Sequence, residues 1–182
     1  MGVGALESPD PPLSDDVIRL RPLVEQDIGP IAAACQDERI QRFIPVPRPY
    51  HRADAAAYVA RTAREWVEGT KAAFAIVAVD DPTGELLGVI NLAIAGSAGN
   101  SGYWVAPGCR GLGLARRALE LVTSWAFATL GLGVVILEIR EENTSSISVA
   151  EAAGFHRAGR LDVNTATGKR GGLIFSRLAA DP

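Results

Sequence analysis

Hydrophobic spacing along this chain switches repeatedly between period two and a helical period of about 3.6, and the switches mark its elements. Residues 17–23 set Ile18, Leu20 and Pro22 against Arg19, Arg21 and Leu23, a half-buried strand that the proline ends. A helix starts at Asp27, carries Ile31, Ala34 and Cys35 on one stripe, and tolerates Pro30 in its first turn. Residues 42–50 hold three prolines and read as a loop. Residues 53–67 form a second helix with Ala56, Val59, Ala60, Ala63 and Trp66 or Val67 facing inward. Strands over 72–79 and 85–95 flank the turn Asp80-Asp81-Pro82-Thr83-Gly84, and together make a hairpin.

Residues 96–101 form a polar turn and 102–105 the next strand. A long helix begins near Gly113, with Leu114, Ala118, Leu121, Val122, Trp125 and Ala126 on its apolar stripe. Gly131-Leu132-Gly133 stops it, and Val134 to Arg140 is strongly β-prone. Thr144 or Ser145 caps a short helix that runs to Ala153 and closes at Gly154. Strands over 155–163 and 172–178 end the chain around a Thr-Gly-Lys-Arg-Gly hairpin. The order β-α-α-β-β-β-α-β-α-β-β describes a mixed α/β (α+β) domain over 17–182, with a right-handed strand–helix–strand unit at its centre. The preceding residues 1–16 are rich in Gly, Pro, Ser and Asp and read as a mobile tail.

Composition narrows the function classes. A chain of 182 residues with 48% hydrophobic and 21% charged residues is globular. Its net charge of −3 argues against a broad nucleic-acid-binding face. No apolar run is long enough to cross a bilayer, and no basic-then-apolar leader opens the chain. Cys35 and Cys109 lack ligand or redox spacing, which favours a reducing, cytoplasmic setting. Two histidines, His51 and His156, leave few ligands for a metal site, and none is expected.

The chemistry concentrates in Gly102 to Ala118, where a strand passes through a glycine-rich turn into a helix. First-turn amides lack intrahelical partners, and the helix dipole adds partial positive charge there. Gly111 and Gly113 let a ligand approach the backbone, and Arg110 adds a full charge. The product is an anion cradle. It is not a GxxxxGK[ST] phosphate loop, because no Lys-Ser or Lys-Thr pair follows. Nor is it a dinucleotide fingerprint, since Arg116 stands where the third glycine belongs.

Arg110-Gly111-Leu112-Gly113-Leu114-Ala115 matches Arg/Gln-x-x-Gly-x-Gly/Ala and resembles the acyl-CoA pyrophosphate loop of the GNAT N-acetyltransferase superfamily. The preceding Gly-Tyr-Trp-Val-Ala-Pro, with Asn143-x-x-Ser146-x-x-Val149 and Gly154-Phe155 downstream, is similar to the ribosomal-protein N-acetyltransferase (RimJ/RimL) branch. The resemblance covers about Val17 to Leu178. It implies a mostly antiparallel sheet, splayed in the middle and flanked by helices, with acetyl-CoA as co-substrate. Val105 would offer backbone groups to the pantetheine, residues 110–115 would hold the pyrophosphate, and Asn143 and Ser146 would contact CoA. The resemblance also makes the loop carrying Phe43, Arg48 and Tyr50 a wall of the acceptor pocket; a plain connecting loop is the other reading. Tyr103 joins the pocket group. Alternation puts Tyr103 and Trp104 on opposite faces, so one of them alone is expected in the cleft.

Direct attack of an amine on the thioester needs a base, stabilisation of developing charge, and departure of the thiolate. Glu138, in Leu137-Glu138-Ile139-Arg140, is the candidate base by its similarity to a Leu-Glu-Val-Arg pattern; pairing with Arg140 or Lys169 is its structural alternative. Asp162 is a second candidate and Glu85 a poorer one. Ser146 is the candidate acid, or else a cap or packing residue. The chain departs from related patterns at Ala150, where a tyrosine acid is common, and at Asn100 and near Thr165, where glutamates are common. The acceptor is an amine, on a peptide N-terminus or a small molecule, and a homodimer formed through edge strands is an option that the resemblance raises. Two rival functions stay open. One is a non-catalytic acyl-CoA sensor. The other is transfer from succinyl-CoA, which a cation such as Arg42 or Arg48 in the pocket would favour.

Overall fold

A computed structural model describes residues 5–165 and 168–181. The strands are β1 (Ile18–Pro22), β2 (Lys71–Ala78), β3 (Gly88–Ala95), β4 (Ala98–Val105), β5 (Val134–Arg140), β6 (His156–Thr165) and β7 (Gly168–Leu178). The helices are α1 (Ile28–Ala34), α2 (Glu38–Phe43), α3 (Arg52–Val67), α4 (Leu114–Ala128) and α5 (Thr144–Ala152). The strands join in one sheet of order β1-β2-β3-β4-β5-β7-β6, antiparallel at every step except β4–β5. That exception is the strand–helix–strand crossover through α4, as parallel neighbours require.

Each face of the sheet is covered, because strands with apolar residues on both sides must bury both. On one face Leu114, Leu119, Val122 and Trp125 of α4 and Ala150 of α5 pack on Ile90, Leu92, Val135 and Leu137. On the other, Ile31 of α1, Ile40 of α2 and Ala55 of α3 pack on Val77 and Val89. Trp66, at the end of α3, crosses to the first core, where its ring meets Phe74 edge-on at 5.3 Å. The stretch before β1 is anchored: the Leu6 amide donates to the Trp66 carbonyl at 3.0 Å, and Arg117 of α4 pairs with both Asp15 and Asp16.

Several local expectations need correction. Arg42 and Phe43 close α2, a helix that the proline count hides because the prolines begin only at Pro45. Asp37 starts it, its side chain accepting from the Ile40 amide at 2.9 Å. In α3 the buried stripe is Ala55, Thr62 and Trp66, while Ala60, Ala63 and Val67 are exposed. An alanine-rich helix carries little hydrophobic contrast, so tertiary packing selects its inward face. β4 begins at Ala98, which shortens the expected turn to Gly96-Ser97. The cap of α5 is Asn143, not Thr144 or Ser145. β6 and β7 pair out to Thr165↔Gly168, so Gly168, Lys169, Arg170 and Gly171 of the expected hairpin turn lie in a strand, and its residues 166–167 lie outside those described.

Candidate active site

The site forms where β4 and β5 part. They share rungs at Ala98↔Val134, Gly99↔Val135 and Asn100↔Ile136 and none beyond. From Ser101 to Val105, β4 remains bonded to β3 but presents an unpaired edge toward β5. An extended ligand can add to such an edge.

Past Val105 the chain turns through residues 107–109 and enters α4. Gly113 is the residue before the helix, at φ 73°, and Gly111 is at φ 78°. A Cβ built at either position meets nothing within 4 Å. No side chain caps the helix, and its first turn holds no acidic residue. The amides there face open space, and the dipole makes that space attractive to an anion. A pyrophosphate fits this cradle on the chain's own geometry.

The cradle opens into a cavity of about 580 Å³. One wall is α4 and the turn before it: Cys109, Arg110, Gly111 and Gly113 to Arg116. The floor is Tyr103 to Val105, the α5 wall is Asn143, Ser145, Ser146, Ser148 and Val149, and α2 closes the far side with Arg39, Ile40, Phe43 and the following Ile44. Among the described residues the lining contains arginines but no carboxylate. A polyanion there meets arginines, two of which, Arg110 and Arg116, also pair with the carboxylates of Asp37 and Glu120 behind the lining.

Most of the predicted donor residues converge here: Val105, Arg110, Gly111, Gly113, Leu114, Ala115, Asn143 and Ser146. Leu112 does not; its side chain is 66% exposed. Asn143 Oδ1 accepts from the Ser146 amide at 3.3 Å, which leaves its amide nitrogen for a ligand. Arg110 does more than mark the rim. Its guanidinium pairs with both oxygens of Asp37, at 2.6 and 3.3 Å, and so ties the phosphate loop to the start of α2. That bond holds the Asp37 carboxyl below its usual range, partly opposed by burial.

Of the acceptor-side residues, Phe43 and Tyr103 line the cavity. Tyr50 instead lies in the second core, 6% exposed, and Arg48 is an exposed loop residue that donates to the Gln41 carbonyl. Glu138 is exposed on β5, opposite in pleat to buried Leu137 and Ile139, and takes a 2.9 Å hydrogen bond from Asn100 Nδ2. It does not belong to the cavity lining. Trp104 lines the cavity together with Tyr103, against expectation. Alternation itself holds, since Tyr103 packs on the first core and Trp104 on the second. Both reach the cleft because β4 has no partner there and the opening is accessible from both faces.

Sequence reasoning missed Arg39, Ile40, Ile44, Cys109, Arg116, Ser145, Ser148 and Val149. For the α2 residues a signal existed: Asp37 followed by Glu38 is a helix start. Arg116 is one residue beyond the motif, and Ser145, Ser148 and Val149 belong to the α5 helix that Asn143 opens.

Comparison with known proteins agrees with this geometry. An acetyltransferase (GNAT) domain matches residues 18–156. No curated protein matches the chain. Among solved structures, Mycobacterium smegmatis RimJ in complex with CoA-disulfide is similar at 22% identity and TM-score 0.79, over 89% of this chain and 82% of that one. RimL, a ribosomal L7/L12 alpha-N-protein acetyltransferase in complex with coenzyme A, is 19% identical with TM-score 0.80, over 93% and 98% of the two chains. A spermidine N-acetyltransferase SpeG chimera from Vibrio cholerae and hSSAT is 18% identical with TM-score 0.71, over 90% and 96%. With its parted strands, bare helix start and family match, the chain belongs to the GNAT acetyltransferase family, enzymes that take their acyl group from a coenzyme A thioester.

Proposed function

We propose that this enzyme moves an acetyl group from acetyl-CoA to a primary amine by direct attack on the bound thioester, in the cytoplasm. The observation that carries the reading is the uncapped start of α4 opening into a cavity that also reaches Asn143 and Ser146 and has no carboxylate among its described lining residues. In this reading the amides from Gly111 to Ala115 bind the diphosphate, and Arg110 and Arg116 add charge at that end. The pantetheine arm extends along the free edge at Val105, and the Asn143 side-chain amide holds it. Positioning both substrates supplies much of the rate.

The amine nitrogen attacks the carbonyl carbon and the C–N bond forms. Collapse breaks the C–S bond, with its electron pair passing to sulfur. Glu138, held by Asn100 on the bank of β5, takes the amine proton, directly or relayed by solvent. Ser146 delivers a proton toward sulfur. The acceptor is a peptide N-terminus or a small-molecule amine, the two kinds named in the RimL and spermidine acetyltransferase structures. Arg42 and Arg48 do not line the cavity, but Arg39 of α2 does, so a cation that could favour succinyl-CoA is present and the donor panel below decides between the two. Two copies would pair along β1 or β6, the sheet's outer strands.

A panel of amines (N-terminal peptides, polyamines, amino acids, aminoglycosides) offered with acetyl-CoA or succinyl-CoA tests the reading by thiol release. Turnover with acetyl-CoA and at least one amine is expected. Binding of CoA without thiol release from any amine would leave the sensor reading in its place.

A further inference from the structure

Resting on the proposed acetyl transfer, we propose that the Tyr103 hydroxyl is the hydrogen-bond donor that stabilises the departing thiolate. Four hydroxyl-bearing residues line the cavity: Tyr103, Ser145, Ser146 and Ser148. Ser148 donates to the Thr144 carbonyl at 3.1 Å, and Ser145 receives the Arg39 guanidinium. Tyr103 is different in position and in bonding. It stands on the stretch of β4 that has lost its partner, so its ring borders the gap a thioester must enter. Its ring packs against the first core, which fixes where its oxygen lies. That oxygen crosses to α5 and donates to the Ser146 carbonyl at 3.3 Å. This is longer than an ordinary O–H···O bond of about 2.7–2.8 Å, so the donor can be redirected to a stronger acceptor at small cost.

A sulfur gaining negative charge beside Ser146 is such an acceptor. Among the described lining residues the cations are Arg39, Arg110 and Arg116, held on Ser145, Asp37 and Glu120 respectively, and Ser146 alone offers a single hydroxyl. One turn on from Ser146, Ala150 is fully buried in the core, so α5 supplies nothing further at that point. Burial pushes the Tyr103 phenol up to about 12, the Ser146 bond opposing in part, which keeps its proton in place across working pH. The step balances without oxidant or extra reactant. The C–S electron pair moves to sulfur, the Tyr103 O–H bond stays intact while it donates, and the thiolate gains its final proton from Ser146 or from solvent. The amine proton leaves through the base.

Tyr103→Phe removes the oxygen and keeps the ring. A fall in kcat of about 10- to 100-fold is expected, the size of one hydrogen bond to a charged group, with CoA affinity by calorimetry within about twofold of wild type. Replacement of Tyr103 by 3-fluorotyrosine, which leaves the packing but makes the donor more acidic, should raise kcat and move its alkaline limb to lower pH. Unchanged kcat in Tyr103→Phe overturns the proposal. So does a parallel loss of affinity and kcat with fluorotyrosine silent, which marks a packing residue. If Ser146→Ala slows turnover and Tyr103→Phe does not, the donor role falls and acetyl transfer stands. If wild-type enzyme releases no thiol with any amine, both fall together.

Discussion

The two halves of the cleft were built in different ways. The proposed donor half is made mostly of backbone in one contiguous run, a free strand edge ending at Val105, two glycines and the first turn of α4, to which Asn143 and Ser146 of α5 add side chains. The proposed acceptor half is made of side chains from α2 and β4, elements far apart in sequence, with Glu138 of β5 outside the lining. Backbone recognition needs only a local conformation, which glycine and helix-start signals specify. Side-chain recognition needs the tertiary assembly. The donor loop can therefore serve many enzymes while the acceptor wall differs among them.

The sharpest way to break this contrast is Gly113→Glu. The position is at φ 73°, where a side chain is strained, and the open space beyond it is the proposed diphosphate site. A carboxylate there meets the diphosphate it would replace. CoA affinity should fall by at least about 100-fold in calorimetry, more than one hydrogen bond is worth. Affinity close to wild type would mean that the diphosphate lies elsewhere and that the donor half has been misplaced.

Glu138→Gln tests the other half and should act on a different quantity. It keeps shape and the bond to Asn100 but cannot take a proton. A drop in kcat of about 100-fold or more is expected for loss of a general base, with CoA binding unchanged. Full activity would move the base role to another group, with Asp162 next in order. Since Glu138 stands outside the cavity lining, this variant also decides whether the amine reaches the parting of the strands from the β5 side.

The contrast also explains what could be read in advance. Apart from α2, strand and helix order follows from periodicity, and the bounds of β5 follow to the residue, because Val134 to Arg140 is rich in β-branched residues and bounded by Gly133. The loop-to-helix cradle followed from Gly111 and Gly113. The inward face of α3 did not follow, since its alanines look alike to water. Tyr50 was misassigned for a related reason. An aromatic residue beside prolines looks like a pocket wall, yet Tyr50 is buried against the elements around Cys35. Trp104 was excluded by a correct alternation rule applied to a strand whose partner leaves it halfway. No local pattern announces that departure.

The smallest effect comes from a contact that ties the halves together, Arg110 with Asp37. Asp37→Asn isolates its charge, because asparagine caps a helix as well as aspartate does. The Arg110 bond, more than burial offsets, holds the folded carboxyl below its ordinary value of 3.8. A depressed carboxylate stabilises the fold above its unfolded pKa, and the contribution disappears as pH falls through the folded pKa. At neutral pH the substitution should cost no more than about 1 kcal/mol, since both side chains are partly exposed. In denaturant titrations the difference between wild type and Asp37→Asn should shrink below about pH 4. Freed from its partner, Arg110 turns to the cradle, so CoA should bind as tightly as before or slightly tighter, while the acceptor KM rises as α2 loosens. Weaker CoA binding with an unchanged acceptor KM would assign Asp37 to the donor half and remove the division between the two.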